Sequence, residues 1–258
     1  MRALITGGAK RLGREMSLYL AKRGYDIAIH FNSSADEADR LVDEIRALGQ
    51  KAVALPADIL NEAQVTSLVS AAGDGLGGSL NVLVNNASIF EYDNIHSATR
   101  QSWDRHIESN LRAPFVLTQN FAQQIPDPIL DENSEPVAQG LVVNMLDQRV
   151  KKLTPEFSSY TIAKMGLWAL TQTSARALAP KIRVNAIGPG PTLKGDREDP
   201  LRYQHQRDNT VLNRGSNPSD ISAALGYFID APAVTGQLLC VDGGQHLGWK
   251  TPDILGIV

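Results

Sequence analysis

A short apolar run at the start of the chain leads directly into a glycine-rich turn and then into a helix-like segment. Residues 2–6 have the composition of a buried strand, residues 7–13 read Gly-Gly-Ala-Lys-Arg-Leu-Gly, and residues 14–23 carry apolar side chains at helical spacing. Glycine lets the backbone turn tightly and come close to a pyrophosphate, and the amino end of a helix offers N–H groups that have no partner within the helix. This order of segments predicts a dinucleotide-binding fold, although a glycine cluster alone would also fit an ordinary loop.

Strand-like and helix-like segments alternate along the whole chain. The clearest helix is predicted over residues 158–178, and the predicted strands lie near residues 2–6, 26–31, 51–55, 81–85, 140–146, 182–187 and 237–241. Such alternation predicts a single α/β domain over residues 1–258, a Rossmann-type, doubly wound parallel sheet of about seven strands with helices on both faces. Residues 126–136, within an insertion over 126–139, hold three prolines and four acidic residues, and they are predicted to form a surface loop without regular structure. A second loop is predicted over 192–217.

Composition and charge narrow the class of protein. Of the 258 residues, 43% are hydrophobic and 21% are charged, which is enough apolar material for one sizeable core. A net charge of −3 indicates neither nucleic-acid binding nor attraction to an anionic membrane. No apolar run approaches the roughly 20 residues that span a bilayer. Because the first strand is predicted from residue 2, no room is left for a targeting segment, and we expect a cytoplasmic protein.

Cysteine and histidine give no sign of a metal or thiol site. Cys240 is the only cysteine, so it cannot form an internal disulfide, and its apolar surroundings predict a core residue rather than a nucleophile. The five histidines lack the His-x-x-x-His or mixed Cys/His spacing of common metal sites. The sequence therefore predicts that no metal is bound.

A tyrosine and a lysine four residues apart are the candidate catalytic pair. Tyr160 and Lys164 would share one face of the predicted helix, so the ammonium can lie under the phenol. A nearby positive charge favours phenolate and improves a phenol, whose ordinary pKa is about 10, as a proton donor. The pair alone is more typical of a solvated helix face. Asp147 stands thirteen positions before the tyrosine, at the carboxyl end of the apolar run 141–146.

These motifs, in this order, resemble the short-chain dehydrogenase/reductase family over essentially the whole chain. The matching segments are Thr6-Gly7 to Gly13, Asn85-Asn86-Ala87, Asn110, Tyr160-x-x-x-Lys164 and Pro189-Gly190. Two positions depart from the common pattern, because Arg11 replaces a glycine and Asp147 replaces the catalytic serine. Both changes, together with residues 86–90 and 242–247, are similar to the pteridine reductase branch, which includes bacterial dihydromonapterin reductases.

The resemblance implies an NADP-dependent oxidoreductase that transfers hydride to a C=N or C=O group. Tyr160 would donate the proton, while Lys164 would hold the nicotinamide ribose and raise the acidity of the tyrosine. Asn110 would anchor a water that links Lys164 to solvent. An ionised Asp147 could only accept hydrogen bonds, which suits a substrate with N–H groups, whereas a protonated Asp147 could itself donate a proton.

The end of the second predicted strand favours NADPH over NAD. An acidic residue there would bind ribose hydroxyls and repel a 2′-phosphate, but the strand runs into Asn32, Ser33 and Ser34. Arg11 adds a positive charge, unless it is a solvated arginine that contacts nothing. The predicted cofactor-binding residues are Gly7, Lys10, Arg11, Leu12, Gly13, His30, Asn32, Ser33, Ser34, Asp58, Ile59, Asn86, Ala87, Ser88, Tyr160, Lys164, Pro189, Gly190 and Thr192. Asp58 is expected near adenine by resemblance, with a helix cap as the alternative.

The predicted substrate-binding residues are Arg11, Ser88, Phe90, Asp147 and Tyr160. Phe90 offers a flat face for stacking a ring, although plain core packing is the alternative. An aromatic face, a carboxylate and a guanidinium together suit a pterin better than a fatty acyl chain. We therefore expect a pterin or dihydropterin reductase.

Two other functions stay open at this point. The protein could reduce a ketone, a sugar or a 3-oxoacyl group, or it could bind NADP(H) without catalysis. The presence of Asn110, Tyr160 and Lys164 argues against a silent protein, which has no physical need for all three.

The resemblance also implies that the protein forms an oligomer and that a loop covers its substrate. Family members pair their long helices and last strands, so a homotetramer is expected. The tail 248–258 is apolar enough to seek a partner surface, such as a neighbouring subunit's active site. The loop 192–217 is expected to cover a small-molecule substrate.

Overall fold

Seven parallel strands form one sheet in the computed structural model, which describes residues 1–195 and 199–251. The strands in chain order are β1 (Arg2–Ile5), β2 (Asp26–Phe31), β3 (Ala52–Pro56), β4 (Val82–Asn85), β5 (Ile129–Leu130), β6 (Pro136–Val137), β7 (Gly140–Met145), β8 (Ile182–Pro189) and β9 (Leu238–Val241). The order across the sheet is β3-β2-β1-β4-β7-β8-β9, and β5 pairs only with β6 in a separate hairpin. The predicted fold class is confirmed.

Helices connect successive strands and cover both faces of the sheet. They are α1 (Arg11–Lys22), α2 (Ala35–Ala47), α3 (Glu62–Leu76), α4 (Arg100–Ile107), α5 (Ala113–Gln124), α6 (Ser158–Ala177), α7 (Pro200–Asp208) and α8 (Pro218–Asp230). A π-helical turn over Glu108–Arg112 joins α4 to α5, and short 3₁₀ turns lie at Gln148–Val150 and Gln245–Leu247. The predicted helix 158–178 agrees with α6 to within one residue.

Two layers of apolar side chains hold the helices on the sheet. Successive residues of a strand point to opposite faces, so Ala3 and Ile5 face one layer and Leu4 faces the other. The first layer packs β1 and β2 against α1, α2 and α8. The second packs the same strands against α3 and α5. Strands buried on both faces explain why the predicted strands are almost continuously apolar.

The strand order reverses at β1, which pairs with β2 on one side and with β4 on the other. In open parallel sheets, ligands bind outside the carboxyl ends of the strands at such a switch point. The glycine turn after β1 and the segment 86–88 after β4 therefore meet at one edge of the sheet. This edge positions the candidate site.

Both predicted loops contain regular structure. Residues 126–136 include β5 and β6, which pair antiparallel, because the Asp131 carboxylate accepts N–H groups from Asn133 and Glu135 and closes a tight turn. The loop 192–217 contains α7, which Asp199 caps by accepting the Leu201 N–H. Proline at the first helical position suits this start, since its missing N–H is not needed there. The predictions of structureless loops are wrong at these two places.

Parts of two predicted segments lie outside the described residues, namely 196–198 of the substrate cover and 252–258 of the C-terminal tail. Within the described ranges, no helix has the length and apolar character needed to cross a membrane. Cys240 is partly buried in β9, where burial raises the pKa of its thiol to about 11. The thiol is therefore protonated at neutral pH, as expected of a residue that is not a nucleophile.

Candidate active site

The glycine turn after β1 brings its backbone within reach of an anion. Gly7 has a φ of 60°, and a side chain on Gly13 would place its Cβ 2.1 Å from the Gly7 carbonyl oxygen. Helix α1 begins here, and its N-cap residue Lys10 makes no side-chain capping bond. The first N–H groups of α1 are thus without a side-chain cap, which is the arrangement that binds phosphate at helix starts.

His30 and Asn86 hold this turn from two sides. The His30 ring is 1% exposed; its Nδ1 accepts the Gly7 N–H at 3.0 Å, and its Nε2 lies 3.0 Å from the Ala57 carbonyl oxygen. Burial lowers the pKa of His30, so the ring is neutral and donates from Nε2. The Asn86 amide donates to the carbonyl oxygens of Thr6 and Gly7, at 2.8 and 3.2 Å. Both His30 ring nitrogens, and its carbonyl oxygen, which accepts the Gly8 N–H at 2.9 Å, are thus used within the protein.

Arg11 joins the glycine turn to the segment that follows β8. Its Nη1 and Nη2 donate to the carbonyl oxygens of Lys194 and Leu193, at 3.0 and 3.1 Å, and its backbone has a φ of 53°. The alternative that Arg11 contacts nothing is therefore wrong. Asn32 and Ser33 are exposed just beyond β2.

Tyr160, Asp147 and Lys164 come together at the carboxyl end of β7. The Tyr160 hydroxyl donates to Asp147 Oδ2 at 3.1 Å. Lys164 Nζ donates to the Met145 carbonyl oxygen at 2.8 Å and lies 5.6 Å from the centre of the Tyr160 ring. Tyr160 and Lys164 are buried, at 5% and 3% exposure. The structure thus brings together the three residues that sequence spacing selected.

The electrostatics of this group differ from the sequence expectation. Burial and the adjacent Asp147 raise the pKa of Tyr160 well above its usual value, against the opposing effects of Arg149 and Ser88. Burial also raises the pKa of Asp147, and it lowers the pKa of Lys164 to about 8. The expected lowering of the Tyr160 pKa by Lys164 is therefore wrong, because burial and the Asp147 carboxylate bonded to the phenol oxygen together raise it.

Asn110 lies in the π-helical turn and is fully buried. Its Nδ2 donates to the Ile89 carbonyl oxygen at 2.9 Å, and its Oδ1 accepts from the Ser88 hydroxyl at 2.6 Å. Ser88 in turn is hydrogen-bonded to Tyr160, which lowers the pKa of the phenol. Asn110 therefore connects to Tyr160 through Ser88, and its role as a water anchor for Lys164 stays a prediction. Single π-helical turns are frequent at functional sites.

Aromatic rings form one wall of the site. Phe90 is 53% exposed, so the alternative of core packing is wrong. Its ring stacks on Phe157 with centres 4.4 Å apart and meets Tyr160 edge-on at 4.7 Å. The Arg149 guanidinium carbon lies 4.7 Å from the centre of the Phe157 ring. The arrangement offers an aromatic face beside a proton donor and an acid.

Comparison with known proteins decides the family. The model of the short chain dehydrogenase family matches residues 1–204. The chain belongs to the short-chain dehydrogenase family. It is therefore an oxidoreductase by family, and the resemblance inferred from the motifs is confirmed.

Two solved structures and one curated relative show what this short-chain dehydrogenase is similar to. "FolM Alternative dihydrofolate reductase 1" from Brucella canis, complexed with NADP, is 40% identical with a TM-score of 0.89 and covers 98% of this chain and 97% of its own. The Brucella suis protein of the same name, also with NADP, is 41% identical with a TM-score of 0.90 and covers 98% of each chain. The 3-oxoacyl-(acyl-carrier-protein) reductase FabG of Staphylococcus epidermidis is 30% identical over 95% of this chain and 98% of its own.

The remaining predicted residues of this short-chain dehydrogenase lie around the same edge of the sheet. Asp58 accepts the Leu60 N–H at 3.0 Å, and Asn61 is the N-cap of α3, so the helix-cap alternative for Asp58 is wrong. Gly190 packs against Asp242, where a Cβ would come within 2.5 Å of the Asp242 Cβ. The others are Leu12 in the first turn of α1, Ser34 at the N-cap of α2, Ile59 after β3, Ala87 after β4, Pro189 at the end of β8 and Thr192 shortly beyond it.

Sequence reasoning missed four polar residues near the site. Arg149 stands two residues after Asp147, and its position beside a predicted catalytic residue was the one signal that could have identified it. Asp93, His106 and Ser159 form a buried cluster behind Tyr160. Their contacts join positions up to 66 residues apart, so no spacing in the sequence marks them. Within the described residues, no group of three His, Cys, Asp or Glu side chains is placed to hold a metal.

Proposed function

We propose that this short-chain dehydrogenase is an NADPH-dependent reductase of pterin or dihydropterin rings. The observation that carries the proposal is the Tyr160–Asp147 pair beside the exposed Phe90 ring. A phenol, a carboxyl group and an aromatic face match a flat ring that carries both C=N and N–H groups. The similarity to two alternative dihydrofolate reductases supports the same substrate class.

The residues at the sheet edge fit NADPH. Gly7 and Gly13 allow a tight turn at the start of α1, whose first N–H groups can bind a pyrophosphate. No carboxylate stands at the end of β2, where one would repel a 2′-phosphate, and Asn32 and Ser33 offer donors instead. We propose that these residues, with Lys164 near the nicotinamide ribose, hold the cofactor. NADPH would supply the hydride, that is, two electrons and one hydrogen.

The proton would come from the chain itself. Tyr160 donates its hydroxyl proton to the substrate nitrogen or oxygen, and the phenolate is then reprotonated from Asp147 or through Ser88. The raised pKa of Asp147 keeps a proton on this carboxyl group to higher pH than usual, which suits the donor role. Arg149 opposes the rise in both pKa values and stabilises the phenolate as it forms.

Replacing Tyr160 with Phe tests the proposal. NADPH consumption with a 7,8-dihydropterin as sole acceptor should fall by about 10²- to 10⁴-fold, the usual contribution of a general acid. NADPH affinity should stay within about twofold, since the phenol is not the main cofactor contact. Tyr227→Phe is the matched control, because this tyrosine is exposed on α8. Lack of turnover by the unmodified protein would contradict the proposed substrate class.

A second candidate is reduction of a carbonyl group, favoured by the 30% identity to a 3-oxoacyl reductase. Asp147→Ser separates the two functions, because serine is the residue expected for carbonyl substrates. We expect dihydropterin reduction to fall by roughly 10- to 100-fold in this variant, with no comparable loss on ketones. The measurement is kcat/KM for both substrate classes. Higher activity of Asp147→Ser on dihydropterin would refute the role given to Asp147.

We also propose that the protein is a homotetramer. Large apolar side chains stay exposed on α4, α5 and α6, namely Trp103, Phe115, Ile162 and Met165. Such a surface on adjacent helices supports pairing between subunits.

A further inference from the structure

Three buried polar side chains lie directly behind Tyr160. Asp93, His106 and Ser159 are at most 1% exposed, and they come from the loop after β4, from α4 and from α6. The His106 ring meets the Tyr160 ring edge-on, with centres 5.9 Å apart. Buried polar groups are costly unless every one has a partner, so the bonds within this cluster show what it does.

Asp93 caps the helix that carries Tyr160. The N-cap of α6 is Phe157, which has a φ of 58° and no side-chain capping bond. The Asp93 carbonyl oxygen instead accepts the N–H groups of Phe157 and Ser158, at 2.7 and 3.3 Å, and its Oδ1 accepts the Ser159 N–H at 3.1 Å. A carboxylate at a helix start is also favoured by the helix dipole.

The same carboxylate is held in its ionised form. Burial alone would raise the pKa of Asp93, but hydrogen bonds from Ser159 and Ser102 outweigh burial and hold that pKa below its usual value. The Ser102 hydroxyl on α4 donates to Asp93 Oδ2 at 3.0 Å. Asp93 therefore ties α4, α6 and its own loop to one charged group.

His106 completes the cluster and sets the direction of its bonds. Its Nε2 accepts the Glu91 N–H at 3.1 Å, and burial lowers the pKa of His106, so the ring is neutral with its proton on Nδ1. Nδ1 lies 2.7 Å from the Ser159 hydroxyl oxygen, which accepts from it and donates to Asp93 Oδ2. Because the serine lies between the acid and the histidine and is buried, it is a link and not a nucleophile.

We propose that Asp93 and His106, acting through Ser159, are positioning residues that fix the Tyr160 hydroxyl against the loop bearing Ser88 and Phe90. The cluster bonds to the residue before Tyr160 and to the residue after Phe90, so the proton donor and the aromatic wall are held as one unit. Precise placement matters, since a displacement of about 1 Å can cost about 100-fold in rate. The inference rests on the proposed function in taking Tyr160 as the proton donor.

Asp93→Asn and Ser159→Ala are the first test. Asn keeps an acceptor for the Ser159 N–H but replaces the second carboxylate oxygen with a donor, and Ala removes the link to His106. We expect kcat for 7,8-dihydropterin to fall by about 10- to 100-fold, with the KM and Kd for NADPH within about twofold. Ser158→Ala is the matched control, because within the described part of the chain that hydroxyl bonds to the Pro155 carbonyl oxygen alone. A kcat within twofold of the unmodified protein would overturn the inference.

Two conservative substitutions of His106 test its two hydrogen bonds one at a time. Asn can place an amide nitrogen near the Nδ1 position and keep the donor to Ser159, whereas Gln can place an oxygen near Nε2 and keep the acceptor for Glu91. We expect His106→Asn to retain more of kcat than His106→Gln, since the path to Tyr160 runs through Ser159. The reverse order would overturn positioning through Ser159.

Hydrogen exchange separates failure of this inference from failure of the proposed function. If the unmodified protein reduces no dihydropterin, the proposed function is wrong. The Ser159 amide should nevertheless exchange at least about tenfold faster in Asp93→Asn, because a neutral amide oxygen accepts its N–H more weakly than the carboxylate does. Unchanged exchange at this amide would overturn the positioning role whatever the substrate.

Discussion

Replacing Lys164 with Met is expected to abolish reduction and, at neutral pH, to raise the free energy of unfolding. Lys164 is 3% exposed, and burial lowers its pKa from 10.5 to about 8. One pKa unit corresponds to about 1.4 kcal/mol, so the buried ammonium costs roughly 3.5 kcal/mol before the lost bond to the Met145 carbonyl is subtracted. Met fills a similar volume without a charge. The variant should thus be more stable by roughly 1–2 kcal/mol.

The difference in free energy of unfolding between Lys164→Met and the unmodified protein depends on pH. A base whose pKa is lowered on folding destabilises the folded state fully below that pKa, and the cost disappears as the pH approaches the unfolded value of 10.5. The stability advantage of Lys164→Met should therefore be largest below pH 8 and be lost before the pH reaches 10.5. Urea unfolding at pH 7 and pH 10 measures it, alongside kcat for dihydropterin. The exposed Lys22 on α1 provides the control Lys22→Met, and a less stable Lys164→Met variant at pH 7 would contradict the argument.

Replacing Gly13 with Ala should abolish most of the NADPH affinity. The added Cβ would lie 2.1 Å from the Gly7 carbonyl oxygen and 2.8 Å from the Asn86 amide nitrogen, so the glycine turn has to move. Overpacking of this kind costs about 1–3 kcal/mol, and each 1.4 kcal/mol is about tenfold in affinity. We expect the Kd for NADPH, measured by fluorescence titration, to rise by roughly 10- to 100-fold.

Gly73→Ala is the matched control for that change. Gly73 lies inside α3, and its nearest neighbour would be 3.4 Å from the new Cβ, which is an ordinary contact. Alanine in a helix is favoured over glycine, so this variant should be folded with unchanged NADPH affinity. If Gly13→Ala also binds NADPH normally, the glycine turn is not the cofactor site.

The sequence alone was sufficient for the order and the type of the elements that build the sheet. Apolar runs of strand length, separated by helical periodicity, predicted all seven strands, and α6 was predicted to within one residue. The prediction from sequence was wrong for β5, β6 and α7. In these segments, proline and acidic side chains close a turn or cap a helix instead of preventing regular structure. Such local capping bonds depend on geometry that composition does not reveal.

The candidate catalytic residues were also predicted, because Tyr160 and Lys164 share a helix face and Asp147 follows the neighbouring strand β7. The protonation of these residues was not predicted. Lys164 was expected to lower the pKa of Tyr160, but burial and the 3.1 Å contact between Tyr160 and Asp147 raise it. A pKa depends on what surrounds a group in space, and most of those neighbours are distant in sequence.

The amino-acid sequence by itself determined the family and the doubly wound sheet and selected Tyr160 as the proposed proton donor, because these follow from local periodicity and from motifs of fixed spacing. Only the tertiary structure decided that Arg11 bonds to the segment after β8, and that Asp93 and His106 hold the start of α6. The physical reason is that these contacts join elements brought together by burial of apolar strand and helix faces. Hydrogen bonds across such interfaces form between whichever polar groups the packing leaves adjacent.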